Sequence, residues 1–299
     1  MATPSARSEQ IIFTKADGGS DAFGDWNAMK IFCILSDQRA FRSKSPDLFS
    51  TVLNRVGIRG IYVPFQVEPD QIGQAVQSLK VLNIDGANVT VPYKEAVMPH
   101  LDAISEGATI IGAVNTIVRN GAVLKGYNTN AIGFMDALEE VGFDVTGKTA
   151  LVVGTGGAAK AVAFILNWLR VGSVVVAGRS EEKTKALIHR FGGEARLLNS
   201  LLDRPVPAHL VVNTTSVSSY DESPELAALV ADLELPECEL VFDLNYGRNQ
   251  NFWQDMAGSR GIQFTDGLPA LAYQARRTFA LWTGIHVDPK EFLNAIIPP

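Results

Sequence analysis

The sequence has little of several features that mark common classes of protein. It has only two cysteines, Cys33 and Cys238, and neither lies in a CxxC or His-Cys pattern. Neither a disulfide framework nor a metal site is therefore indicated, and a reducing cytoplasm is the expected compartment. No apolar run approaches the ~18 residues that a membrane span needs. The formal net charge of -6 argues against a nucleic-acid partner held by phosphate contacts.

The first 28 residues lack the charged start and the continuous apolar core of a secretion signal. We interpret residues 1–28 as a disordered extension. The rest of the 299-residue chain is long enough for two domains, each with its own core. Histidine is also scarce, and the four that occur lie outside every motif described below, which disfavours a dehydrogenase with a His-Asp pair.

What the sequence does contain is a repeated strand and helix pattern. Strands are predicted at residues 31–35 and 61–65, each followed by apolar residues at helical spacing, and a second series begins with a buried strand at residues 149–153. Alternating strands and helices indicate a largely parallel sheet with both faces covered. A connecting helix over residues 130–141, starting on an Asn cap, joins the two series.

Residues 88–94 form the most informative segment. They read Asn-Val-Thr-Val-Pro-Tyr-Lys, and the alternation of polar and apolar side chains predicts a strand that the proline ends. Lys94 then lies on a turn just past a rigid strand, where partial burial can lower its pKa towards the range of proton exchange. The alternative is a solvated surface lysine that opens a helix with Glu95.

A glycine-rich turn follows the predicted strand at residues 149–153. Gly154, Gly156 and Gly157 precede Ala158, which begins a predicted helix. Glycines suit a tight turn whose backbone approaches a pyrophosphate, which then rests on the NH groups of the helix start. Between two strands of a βαβ unit, this turn predicts a dinucleotide site, although a purely structural turn is the alternative.

The end of the next predicted strand indicates which dinucleotide is bound. NAD-preferring sites place an acidic residue there, whereas this chain has Arg179, Ser180 and Lys183. Two cations beside a hydroxyl suit a 2'-phosphate, so NADP is the expected cofactor. Arg179 as an ordinary surface charge is the alternative, and Glu181 keeps NAD open as a second cofactor.

Further motifs occur in register with these two. They are Ser-Lys-Ser-Pro at 43–46, Gly-Ala-Val-Asn-Thr at 112–116, Gly-Tyr-Asn-Thr-Asn at 126–130, Asp-Gly-Leu at 266–268 and Gln-Ala at 274–275. From about residue 30 to the end, the chain resembles the shikimate/quinate dehydrogenase family.

The resemblance implies an α/β fold with two domains. An N-terminal α/β domain of residues 29–128 plus 267–299 would bind the substrate, and a Rossmann doubly wound domain of residues 129–266 would bind NADP. The implied reaction is the reversible reduction of 3-dehydroshikimate to shikimate, or of the quinate pair, within aromatic amino acid biosynthesis. We expect a cytoplasmic monomer or homodimer without a metal, a nucleic acid or a membrane partner.

The resemblance also implies a role for individual residues. Lys94 would transfer the proton beside the residue at position 130. The other implied contacts are Ser43 and Ser45 to the substrate carboxylate, Thr90, Asn115 and Gln274 to ring hydroxyls, Tyr246 to the carboxylate from the other domain, and Thr214 and Gly267 to the cofactor. Hydroxyl donors suit a buried carboxylate, since each such hydrogen bond contributes ~1.5–3 kcal/mol. The Ser-x-Ser form favours shikimate over quinate, and a Ser-Pro turn with a helix cap is the structural alternative.

The chain departs from the family pattern at Asn130, where an aspartate is usual. Asn130 can accept one hydrogen bond but supplies no charge, which should lower the pKa of the lysine and weaken its alignment. We therefore expect a slow dehydrogenase. A ligand-binding regulator of the same fold is the alternative function, and a simple helix cap is the structural alternative for Asn130. Arg42, Tyr127 and Gly178 also depart, the first two at the expected pocket rim.

Overall fold

The computed structural model describes residues 29–296. The interpretation of residues 1–28 as a disordered extension therefore lies outside the described residues. Within the described range, no helix is long and apolar enough to cross a membrane.

Twelve strands are present in the described range. They are β1 Lys30–Ser36, β2 Gly60–Gln66, β3 Gly86–Val89, β4 Ala103–Ile104, β5 Thr116–Asn120, β6 Val123–Tyr127, β7 Thr149–Val153, β8 Ser173–Gly178, β9 Glu194–Leu197, β10 Leu210–Asn213, β11 Leu240–Asp243 and β12 Gln263–Thr265. The α-helices are α1 Ser45–Arg55, α2 Ile72–Val81, α3 Glu106–Ile111, α4 Asn130–Glu140, α5 Gly157–Trp168, α6 Glu181–Phe191, α7 Ser200–Asp203, α8 Pro224–Asp232, α9 Phe252–Ser259, α10 Leu268–Thr283 and α11 Pro289–Ile296.

The second sheet is a doubly wound parallel sheet. Its strand order is β12-β11-β10-β7-β8-β9, and each neighbouring pair is parallel. The strand order reverses between β7 and β10, and ligands of such sheets bind in the crevice beyond the carboxyl ends of the strands at this point. The predicted Rossmann fold is confirmed.

The first sheet has the order β2-β1-β3-β5-β6-β4 and is mixed. Strand β1 is parallel to both β2 and β3, but β5 is antiparallel to both β3 and β6. The expectation of a largely parallel sheet is therefore wrong at this end. A two-residue turn containing Gly121, with φ of 59°, joins β5 to β6, and so short a connection allows only an antiparallel pair.

The C-terminal helix α10 returns to the first sheet. Phe279 packs with Phe32 and Ile34 of β1, and the Trp282 ring stacks on Phe32 with centroids 4.6 Å apart. The start of α10 packs on α4, whose Phe134 belongs to the core of the second sheet. We call the first sheet with α1–α3, α10 and α11 the first unit, and the second sheet with α4–α9 the second unit.

The packing of α4 on α10 depends on Gly133. A Cβ at this position would lie 2.7 Å from the backbone nitrogen of Gln274 and 2.8 Å from the carbonyl oxygen of Ala270. We expect Gly133→Ala to lower the free energy of unfolding by ~1–3 kcal/mol, because overpacking forces the two helices apart. Urea denaturation measures this change.

Gly107 in α3 provides the matched control, since a Cβ added there meets nothing within 4 Å. Gly107→Ala should be neutral or stabilising by up to ~1 kcal/mol, because alanine has the higher helix propensity. A Gly133→Ala variant as stable as the wild type would show that the two helices adjust without cost.

Candidate active site

One cavity of about 600 Å³ lies between the two units. This volume lies within the ~300–1,000 Å³ that is usual for small-molecule sites. Every residue predicted to contact substrate or transfer its proton lines the cavity, as do three of those predicted to bind the cofactor. They are Ser43, Ser45, Thr90, Lys94, Asn115, Asn130, Tyr246 and Gln274, with Ala158, Thr214 and Gly267. The fold thus brings together residues that are up to 231 positions apart in the chain, from 43 to 274.

Lys94 lies on a turn between β3 and a short 3-10 helix at Met98–His100. Strand β3 ends at Val89, earlier than predicted, and no α-helix begins at Lys94, so the alternative of a lysine that opens an exposed helix is wrong. The Lys94 carbonyl accepts a hydrogen bond of 2.7 Å from the Val114 amide, which fixes the turn. The side chain is half-buried, and burial lowers the pKa of its ammonium to about 8. Both protonation states are therefore populated near neutral pH, as proton transfer requires.

Asn130 directs its side chain into the cavity and does not cap α4. The cap is Asn128, whose Oδ1 accepts from the backbone amides of Asn130 at 3.1 Å and Ala131 at 3.3 Å. The prediction of an Asn130 cap is therefore wrong, because the side chain of Asn128, two residues earlier, accepts from the free amides. The Oδ1 of Asn130 instead accepts a 2.8 Å hydrogen bond from Asn115 Nδ2.

A buried network of neutral groups surrounds Asn115. Its Nδ2 also contacts Thr129 Oγ1 at 2.9 Å and Gln274 Oε1 at 3.2 Å, and its Oδ1 accepts a 2.6 Å hydrogen bond from the Thr129 amide. The Thr129 hydroxyl lies 3.0 Å from that of Thr278 and 3.2 Å from that of Thr116. These bonds fix the amides of Asn115 and Gln274 in orientations suited to ring hydroxyls, because an amide both donates and accepts.

The predicted carboxylate end of the cavity combines a loop from each unit. The Ser45 amide donates to Ser43 Oγ at 3.1 Å, so Ser43 also forms the turn that the structural alternative predicted. Tyr246 reaches this loop from the second unit. Burial raises the pKa of the Tyr246 hydroxyl, while the Lys44 backbone and the Ser43 hydroxyl, which face it, act in the opposite direction.

Sequence reasoning gave no role to two residues that the structure places here. Asn88 lines the cavity, and its Oδ1 accepts a 2.9 Å hydrogen bond from the Tyr62 hydroxyl. Thr129 ties Asn115 to α10. The strand alternation puts Asn88 on the same face as Thr90 and was sufficient to find it. The role of Thr129 depends on Thr278, a contact that no local pattern contains.

The glycine-rich turn is open towards the carboxyl end of β7. Gly154 has a φ of 119°, and a Cβ there would lie 2.5 Å from Thr214 Oγ1. At Gly156, a Cβ would meet nothing within 4 Å, and no side chain of the described residues caps α5. The NH groups at the start of this 12-residue helix are thus available to an anion.

Arg179, Ser180 and Lys183 follow β8 at the same edge of the second sheet. Arg179 and Lys183 are exposed, whereas the Ser180 hydroxyl caps α6 by accepting from the Lys183 amide at 3.3 Å. Packing favours glycine at position 178, since a Cβ there would lie 2.6 Å from the Thr155 methyl.

The other two departures differ in position. Arg42 lines the cavity as expected. Tyr127 is not among the described residues that line it, and the ammonium of Lys125 lies 5.3 Å from the centroid of its ring. Only Arg42 is therefore placed to change the cavity rim.

Two family models match this chain. The model described as shikimate dehydrogenase substrate binding domain matches residues 38–117, and the model described as shikimate / quinate 5-dehydrogenase matches residues 136–251. The chain is 38% identical over 259 residues to the shikimate dehydrogenase (NADP(+)) of Caldanaerobacter subterraneus, covering 84% of this chain and 90% of the relative. It is 40% identical over 250 residues to that of Moorella thermoacetica, covering 81% and 84%.

Solved structures agree with these matches. Shikimate 5-dehydrogenase from Thermus thermophilus, in complex with NADP(H) and shikimate, superposes with a TM-score of 0.78 at 34% identity, covering 90% of this chain and 98% of that chain. Shikimate dehydrogenase from Aquifex aeolicus gives a TM-score of 0.80 at 30% identity with the same coverage.

The burial of Lys94 has a cost for stability that depends on pH. Below pH 8 both the folded and the unfolded chain carry the charge, so folding bears the whole desolvation cost. Between about 8 and 10.5 the folded lysine is neutral while the unfolded one is still charged, so stability rises with pH. We expect Lys94→Met to melt a few degrees higher than the wild type at pH 7, and the difference to shrink as the pH approaches 10.5.

Lys290→Met, at an exposed position of α11, is the control and should show no such dependence. A difference in melting temperature between Lys94→Met and the wild type that stays constant from pH 7 to 10.5 would contradict a lowered pKa at Lys94.

Proposed function

The chain belongs to the shikimate/quinate dehydrogenase family, and we propose that it catalyses the NADP-dependent, reversible reduction of 3-dehydroshikimate to shikimate or of a close relative such as quinate. The observation that carries this proposal is the position of Lys94. This lysine, with its pKa lowered to about 8 by burial, shares one cavity with the amides of Asn115 and Gln274 and lies beside the glycine-rich turn. A group that can transfer a proton, groups that can bind hydroxyls and the glycine-rich turn thus lie close together at one cavity.

The substrate would lie with its carboxylate towards Ser43 and Ser45. The cavity offers hydroxyls there and places Tyr246 opposite them, which suits an anion held by neutral donors. Asn115 and Gln274 would hold the ring hydroxyls, and Thr90 would assist them. In this orientation the reacting oxygen lies between Lys94 and Asn130, so that Lys94 delivers its proton to the carbonyl oxygen as the alkoxide develops.

The residues of the second unit fit NADP. Gly154, Gly156, Gly157 and Ala158 leave room for a pyrophosphate at the start of α5, and the exposed residues after β8 would hold the 2'-phosphate. Thr214 and Gly267 would border the nicotinamide. When bound, NADPH supplies the hydride that reduces the carbonyl carbon. The domain of residues 129–266 would thus bind most of the cofactor, and the domain of residues 29–128 with 267–299 most of the substrate.

We propose that turnover is slow because Asn130 is uncharged. One lone pair of its Oδ1 already accepts a hydrogen bond from Asn115. Lys94 and the reacting hydroxyl would therefore have to share the other lone pair. A positioned general acid or base contributes ~10²–10⁴-fold, and the loss of its partner removes part of that factor without abolishing hydride transfer.

The same observation favours a second candidate, a ligand-binding regulator that retains the pocket without useful catalysis. Measuring NADP reduction with shikimate and with quinate from pH 7 to 10.5 separates the two. Slow turnover that increases as Lys94 loses its proton supports the dehydrogenase in the direction of oxidation. Tight binding of shikimate by calorimetry, with no turnover above the buffer rate at high enzyme concentration, would overturn it in favour of the regulator.

Restoring the acid tests the role of Asn130. We expect Asn130→Asp to raise kcat with shikimate by at least about tenfold, since the carboxylate would accept a hydrogen bond from the reacting hydroxyl and align Lys94 beside it. The KM for NADP should change little. Steady-state kinetics with Asn199→Asp, an exposed substitution at the start of α7, provides the control. An unchanged kcat would mean that Asn130 does not limit the reaction or that shikimate is not the substrate.

Arg179 is expected to select NADP over NAD. Arg179→Ala should raise the KM for NADP by roughly tenfold or more, since hydrogen bonds between charged groups contribute ~1.5–3 kcal/mol, and leave the KM for NAD unchanged. Arg204→Ala, an exposed position after α7, should change neither value. If Arg179→Ala changed the KM for NADP and the KM for NAD equally, Arg179 would not bind the 2'-phosphate.

A further inference from the structure

An ion pair joins the two units immediately beside Lys94. The carboxylate of Glu95, on the lysine's own turn, lies 2.6 Å from the ammonium of Lys160 in the first turn of α5. The Glu95 side chain is 49% exposed and that of Lys160 is 20% exposed. Glu95 belongs to the first unit and Lys160 to the second, so the pair spans the cleft between them.

The turn that carries Lys94 also touches the glycine-rich turn directly. A Cβ on Gly157 would lie 3.2 Å from the Cβ of Lys94 and 3.3 Å from that of Ala113. Lys160 lies three positions after Gly157, and its amide donates to the Gly156 carbonyl at 3.1 Å. The turn that carries Lys94 and Glu95 is therefore close to the first turn of α5 at two adjacent points, through the packing of Lys94 on Gly157 and through the ion pair of Glu95 with Lys160.

We propose that Glu95 and Lys160 are positioning residues that hold the Lys94 amine at a fixed distance from the glycine-rich turn. This inference rests on the proposed function. Proton and hydride must reach neighbouring atoms of one substrate, yet their donors lie on different units. The ion pair fixes the distance between the two units beside Lys94, where the proton would be transferred. A half-exposed ion pair contributes little to stability, so its effect should appear in turnover instead of in melting temperature.

The pair also sets the charge next to Lys94. The other charged residues that line the cavity are Asp37 paired with Arg39, Glu222 paired with Arg248, and Arg42. The guanidinium of Arg190 packs against Gly112. Burial is the cause of the lowered pKa of Lys94, which is consistent with a Glu95 carboxylate that Lys160 neutralises. Without Lys160, the free carboxylate would favour the charged form of Lys94 and raise its pKa.

Glu95→Gln, Lys160→Gln and the double variant test the proposal. Each single change is expected to lower kcat by about tenfold, since small misplacements of a reacting group are costly, with little change in the KM for shikimate or NADP. The double variant should be no slower than either single variant. Lys160→Arg should restore most of the kcat, because it keeps the ion pair.

A second readout does not depend on turnover. Labelling of Lys94 with an amine-reactive reagent, followed by peptide mass spectrometry across pH, gives its titration midpoint. Lys160→Gln should raise that midpoint, and Glu95→Gln should not. The matched control is Lys148→Gln. Lys148 pairs with Glu239 at 2.6 Å within the second unit, and Glu239 is likewise 49% exposed. This control should change neither kcat nor the Lys94 midpoint.

The outcomes separate the two proposals. A wild type without turnover contradicts the dehydrogenase, while the labelling midpoints still test the ion pair. Wild-type kcat and an unchanged Lys94 midpoint in both single variants would overturn the positioning role. A raised KM for NADP in Lys160→Gln, with kcat intact, would also overturn it and make Lys160 a phosphate ligand.

Discussion

The chemistry of the cavity depends on one constraint, the burial of a lysine ammonium among neutral groups. Asn115, Asn130 and Gln274 bond mainly to one another and to threonine hydroxyls, so none of them neutralises Lys94. Desolvation then acts on the charge without opposition, and the pKa of Lys94 falls to about 8. An aspartate at position 130 would favour the charged form instead. Because Asn130 carries no charge, it leaves the desolvation of the Lys94 ammonium uncompensated in the fold.

Much of the second unit could be predicted from the sequence. Strand β7 lies at the predicted residues, because it is short, buried from Ala150 to Val153 and bounded by polar and glycine residues. The hairpin of β5 and β6 was not predicted as such, since Arg119 and Lys125 interrupt its apolar pattern. Strands that are partly exposed, as these two are, carry a weaker signal than strands buried on both faces.

The candidate site could likewise be predicted only in part from the sequence. The identity of its residues came from motifs, because a resemblance carries side-chain types from one sequence to another. The hydrogen bonds that these residues form could not be predicted from motifs. The Asn cap expected at the start of α4 is provided by Asn128 and not by Asn130. Thr129 gains its partner Thr278 from a helix 149 residues later. Such contacts depend on how α10 packs on α4, which a local pattern does not contain.

The return of α10 to the first sheet has a consequence for synthesis. The N-terminal strands leave the ribosome first, but Phe32 and Ile34 are covered only when Phe279 has been made. The second unit has all its strands by Thr265, and of its buried core only Ala270 and Tyr273 are supplied later, by α10. The part of the chain that is made first is therefore the last to complete its core. During that interval its uncovered apolar face makes the nascent chain prone to aggregation.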